Sequence, residues 1–99
     1  MAITGPQCRA ARALVEWPRE RVAQLAGIEA GVLAAFESGG SRPDDAVLLR
    51  LQQALEEGGA VFLFEGERGV GVRLKFTRKD VRAINAWESE GGPVGTDDV

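Results

Sequence analysis

The 99-residue chain has no histidine and a single cysteine, Cys8. Without imidazoles it cannot assemble a zinc site of the usual ligand set, and it lacks the side chain most used for proton transfer near neutral pH. One thiol cannot close an internal disulfide, and Cys8 reads as a small residue on a helix rather than a redox group. No paired acids fall in an expected pocket, so no enzymatic activity, metal or cofactor is expected. Apolar runs are short: none approaches the roughly 20 residues of a membrane span. The N-terminus also lacks the basic start and apolar block of a secretory signal, so a cytoplasmic location is expected. Cationic excess is missing too. The formal net charge of −3 argues mildly against a general grip on nucleic acid, whose affinity comes largely from phosphate neutralisation.

What is present fits one globular domain, with 44% hydrophobic and 27% charged residues. Its charge is segmented. Residues 1–55 are neutral and 56–67 carry −4; residues 68–82 carry +5, from Arg68, Arg73, Lys75, Arg78, Lys79 and Arg82 against Asp80, and the tail carries −4.

The stretch Arg19 to Gly39 organises the rest, because its spacing describes a helix-turn-helix: two short helices broken at Gly27. Ala23 is small where the helices approach, Gly27 can take the left-handed conformation that ends a helix, and Ile28 returns the chain to the core. Val32, Leu33 and Phe36 then predict one buried face. A first helix, capped by Thr4 with Pro6 in its first turn, is expected to about Glu16, with Ala10, Ala11, Leu14, Val15 and Trp17 apolar and Arg9, Arg12 and Glu16 toward solvent. Pro18 starts the second helix, and the third runs from about Glu29 to Ser38. Asp44 or Asp45 caps a fourth, with Val47, Leu48, Leu51, Ala54 and Leu55 on one face and Gly58-Gly59 at its end.

A hairpin follows. Ala60 to Phe64 is one strand, Glu65 to Gly69 a turn, and Val70 to Phe76 a second strand with Val70, Val72, Leu74 and Phe76 on one side and Gly71, Arg73 and Lys75 on the other. Thr77 to Asp80 resembles a capping box for a fifth helix to about Ser89, carrying Val81, Ile84 and Trp87 on one side. Residues 90–99 cannot bury enough to order themselves.

The ordered set Gln7-Cys8-Arg9-Ala10-Ala11-Arg12-Ala13-Leu14, Trp17, Val22-Ala23, Ala26-Gly27-Ile28, Phe36-Glu37-Ser38-Gly39, Arg42-Pro43, the Leu51 to Leu55 helix, Val61-Phe62 and Gly69 to Leu74 resembles the small single-domain XRE-type (phage-repressor-like) helix-turn-helix regulators common in alphaproteobacteria. The resemblance implies a mainly α fold: a four-helix repressor-like bundle over 1–59, then a β-hairpin and C-terminal helix over 60–89 in the same domain, and a disordered tail over 90–99. It also implies a sequence-specific DNA-binding transcriptional regulator that binds double-stranded DNA as a homodimer. Carried over by position, Arg19, Gln24, Glu29, Ala30, Gly31, Ser41 and Arg42 are the DNA-binding candidates, with Arg19 and Arg42 on phosphates and Glu29, Ala30 and Gly31 at the opening of the recognition helix. That opening departs from the family, which places Ser or Thr with Arg, Lys or Gln there. A glutamate can accept from cytosine and an alanine can touch a thymine methyl, whereas arginine on guanine is the commoner specific contact.

The bare reading head keeps an alternative open: a protein-interaction module that retained the scaffold and lost DNA affinity. The basic block Arg73, Lys75, Arg78, Lys79 and Arg82 has three open readings: a phosphate grip, a solvated face, or a partner for the acidic Glu65-Glu67 turn or Asp97-Asp98 tail of a second subunit. Four consecutive apolar residues, Val61 to Phe64, need cover on both strand faces. A dimer interface is therefore expected at Val61, Phe62, Phe64, Val81, Ile84 and Trp87.

Overall fold

Thr4 begins the first helix by accepting from the Gln7 amide at 3.2 Å, while Gln7 Oε1 accepts from the Thr4 amide at 3.0 Å, closing a reciprocal capping box. The computed structural model describes residues 2–64, 66 and 69–75. Within them the order is α1 Gly5–Val15, α2 Arg19–Ala26, α3 Ala30–Glu37, α4 Asp45–Glu57, β1 Ala60–Leu63 and β2 Gly71–Leu74. The described chain is thus mainly helical with a two-stranded antiparallel hairpin, paired Ala60 with Leu74, Val61 with Arg73, Phe62 with Val72 and Leu63 with Gly71. The expected fifth helix and the tail lie outside the described residues, as do Val81, Ile84 and Trp87.

The helix ends follow local chemistry. Asp44 caps α4 by accepting from the Val47 amide at 3.0 Å. Gly58 ends that helix where Trp17 presses on it, so closely that an added Cβ would lie 2.7 Å from the ring. α1 and α4 carry the core, with Val15, Leu48, Leu51 and Leu55 fully buried beside Val22, Leu33 and Trp17. The hairpin packs against α1 and α4, turning Phe62 into that core and resting Phe64, Val72 and Leu74 on it.

Three expectations are corrected. On α1 the buried residues are Gly5, Gln7, Cys8, Ala11 and Val15, Ala10 is exposed, and Arg12 turns inward because a buried carboxylate on α3 attracts it. Val32 is 41% exposed rather than in the core, since Leu33 and Phe36 already fill the inward stripe of an eight-residue helix. In β1, period-two alternation sends Ala60 and Phe62 inward, and Phe62 is covered by its own chain. This removes Phe62 from the surfaces open to a second copy. Phe64, beyond the end of β1, is half-buried against the same core.

Candidate nucleic-acid interface

α2 and α3 are joined by a tight turn built on Gly27, whose φ of 72° lies in the left-handed region that glycine adopts without strain. The Ile28 amide donates to the Ala23 carbonyl at 3.0 Å and the Gly27 amide to the Gln24 carbonyl at 3.2 Å, the paired bonds of a Schellman ending. Ile28 packs on the core, and Arg50 of α4 donates from Nε to the Ala26 carbonyl at 2.8 Å, using up an acceptor that the end of α2 would otherwise leave open. The turn is therefore fixed from both sides, and α3 leaves it in one direction.

The far end of α3 is fixed by charge. Glu37, 2% exposed, receives two hydrogen bonds from the Arg12 guanidinium, Nε to Oε2 at 2.7 Å and Nη2 to Oε1 at 2.8 Å. Arg19 Nε adds a third at 3.3 Å, Cys8 Sγ donates at 3.5 Å, and Arg9 Nη1 donates to the Glu37 backbone carbonyl at 2.6 Å. Burial by itself would raise this carboxyl. The hydrogen bonds and charge of Arg12, with the bonds from Cys8 and Arg19, hold it below the usual carboxylate range. Burial first, then the Glu37 charge, pushes the Cys8 thiol up to about 12, so it stays protonated and donating. α1, α2 and α3 thus meet on one carboxylate, which neither periodicity nor helix propensity identified. The available signal was an acid in the last turn of α3, where the helix dipole disfavours it.

The DNA-binding candidates divide between exposed and inward positions. Gln24, Glu29, Gly31, Ser41 and Arg42 are exposed, and Arg19 keeps 40% of its side chain in solvent while bonding Glu37. Arg42, 60% exposed in the loop after α3, bonds Asp45 Oδ1 through Nη2 at 2.9 Å. Ala30 turns to the core instead of outward. Glu29 precedes α3 in extended conformation without a side-chain cap bond, so its carboxylate is not spent on the helix end. The opening turn of α3 therefore offers Glu29, Gly31 and Val32 to solvent, with Arg42 beyond its other end.

No described helix is long and apolar enough to cross a membrane, and no group of three potential metal ligands occurs among the described residues. The sequence matches no protein-family model and no curated protein.

Proposed function

We propose that the protein is an XRE-type, sequence-specific regulator of transcription that acts in the cytoplasm and binds double-stranded DNA as a homodimer. The observation that carries the reading is the α2-turn-α3 unit: a Schellman turn at Gly27 braced by Arg50, followed by an α3 whose opening turn is exposed. α3 lies in the major groove in this reading, and Arg19 and Arg42 hold the register through phosphates. Two copies present their recognition helices about 34 Å apart, one turn of DNA. The near-neutral bundle makes the phosphate term small, so binding is weak in salt and selectivity depends on groove contacts and DNA shape.

A second reading, a protein-interaction module on the same scaffold, is favoured by Leu25 and Val32, apolar side chains of α2 and α3 that are 51% and 41% exposed. Titrating the purified protein against pooled genomic fragments at low and moderate salt separates the two. Retention of a subset of fragments supports the regulator; no retained fragment at either salt removes it.

A further inference from the structure

We infer that Val32 is the specificity-determining residue of α3 and that it reads the C5 methyl group of thymine, an inference that rests on the DNA-binding reading above. The first six residues of α3, Ala30 to Ala35, contain no side chain able to donate or accept a hydrogen bond. Direct readout by the usual polar pairs is therefore impossible from this helix beyond Glu29, which precedes it. Of the major-groove features of the four base pairs, one is apolar: the thymine methyl.

Val32 has the matching chemistry and position. It is a β-branched residue with one strongly preferred rotamer in a helix, so its two methyl groups are held in place before binding. Its 41% exposure contrasts with the complete burial of its neighbour Leu33. Gly31 has no side chain and, apart from its chain neighbours and its own helix backbone, nothing lies within 4 Å of where its Cβ would sit, while the half-buried Ala34 and Ala35 carry single methyl groups. Among the outward residues of Ala30 to Ala35, Val32 therefore carries the largest side chain. At the far end of the helix the Ser38 hydroxyl donates to the Ala35 carbonyl at 3.1 Å, and Arg42 beyond it is placed on phosphate in this reading, so neither supplies a polar base contact from α3. Glu29, exposed at the mouth of the helix, repels phosphate and can accept from a cytosine amino group, which leaves thymine discrimination to Val32.

The test begins with full-length protein and duplexes selected from a randomised pool. Each thymine of a retained duplex is replaced in turn by deoxyuridine, which removes the methyl group and leaves base pairing unchanged. At one or more thymines in each half-site, affinity is expected to fall about fourfold per methyl, the equivalent of ~0.8 kcal/mol for one buried methyl group. Val32→Ala, which retains a normal circular-dichroism melt because the side chain lies outside the core, is expected to bind the thymine duplex more weakly and to lose that sensitivity to deoxyuridine. Retained duplexes indifferent to deoxyuridine at every position overturn the inference while leaving DNA binding intact. Sensitivity that persists unchanged in Val32→Ala overturns the assignment to Val32. A pool from which nothing is retained overturns the DNA-binding reading itself, and the inference with it.

Discussion

Arg12 of α1 clamps Glu37 of α3 with two hydrogen bonds, 2.7 and 2.8 Å, across 25 residues of sequence. Because Glu37 is buried and its carboxyl is held low, the sign of the pH effect follows: the folded state favours the ionised form more than the unfolded chain does. That stability is fully present above the ordinary carboxylate value near 4.5 and is lost as pH falls from there through the lower folded value. Thermal melts across acid pH should show the native protein declining steeply below that point. Glu37→Gln should be less stable at neutral pH by about 3 kcal/mol, the low end for a broken buried pair because Arg19 reaches solvent and the amide oxygen still accepts, with a flatter acid limb. Parallel acid limbs for the two proteins would remove Glu37 as the titrating group.

Gln7 ties the first helix to the hairpin. Its Nε2 donates to the Leu63 carbonyl at 3.0 Å and to the Gly71 carbonyl at 2.9 Å, at the pair nearest the hairpin turn. Gln7→Leu keeps the bulk and removes both donors and the side-chain half of the capping box, and should cost about 2–3 kcal/mol. Gln7→Glu should cost more at neutral pH, because its carboxylate can take the Thr4 amide but faces two carbonyl oxygens without a proton to give. Hydrogen exchange of the Gly71 to Leu74 amides reads the consequence directly: faster exchange in both variants is expected, and protection equal to the native protein would show that packing alone holds the strands.

The Trp17 ring presses on Gly58, and that contact leaves no room for a methyl group. Gly58→Ala should destabilise the fold by about 1–3 kcal/mol through a displaced indole, even though alanine is the better residue near a helix end. A shift in Trp17 fluorescence accompanying a lower melting temperature is expected. An unchanged or raised melting temperature would mean that the ring moves aside freely.

The parts of this fold that the sequence made legible are those determined within a few residues. Thr4, Pro18, Gly27, Asp44 and Gly58 each act on the nearest helix turn, and each marks a boundary close to the one observed. The inward face of α1 was misread because Gln7 and Arg12 are drawn to partners 25 to 64 residues away, and local periodicity counts such polar residues as outward. Val32 was misread for a different reason: adjacent apolar residues on one helix cannot all face the core, and the pattern does not say which is left out. At the candidate interface, Arg42, Gln24 and Gly31 are exposed, while Ala30 turns inward. The anchoring of Arg19 on Glu37 was not visible in either residue's surroundings.

Arg42 gives the cleaner test of phosphate contact. Arg19 also supports the buried Glu37, so its removal mixes stability with binding, whereas Arg42 pairs with a carboxylate that is 86% exposed. Such a surface pair contributes little to folding. Arg42→Ala should leave the melting temperature nearly unchanged, weaken binding to all duplexes, and reduce the slope of log affinity against log salt by about one, with the preferred sequence unaltered. A changed site preference with the slope intact would make Arg42 a base contact instead.

The outward side of β1 is where a second copy is expected to sit. Val61 and Leu63 alternate with the inward Ala60 and Phe62, Leu63 is 44% exposed, and across the hairpin Leu63 faces Gly71, whose missing side chain leaves the leucine uncovered from that strand. Arg73, opposite Val61, puts a cation at the border of this patch, an arrangement suited to an apolar centre with a charged rim. Leu63→Glu changes a side chain outside the core, so the bundle should fold with a near-native melting temperature. If the patch is the dimer surface, light scattering at tens of micromolar should show a dimer for the native protein and a monomer for Leu63→Glu. Affinity for a two-half-site duplex should then fall far more than affinity for a single half-site, because the variant loses the coupling between sites and not the contacts within one. A native protein that is monomeric at that concentration, or a Leu63→Glu variant that remains dimeric, would place the subunit contact elsewhere or abolish it.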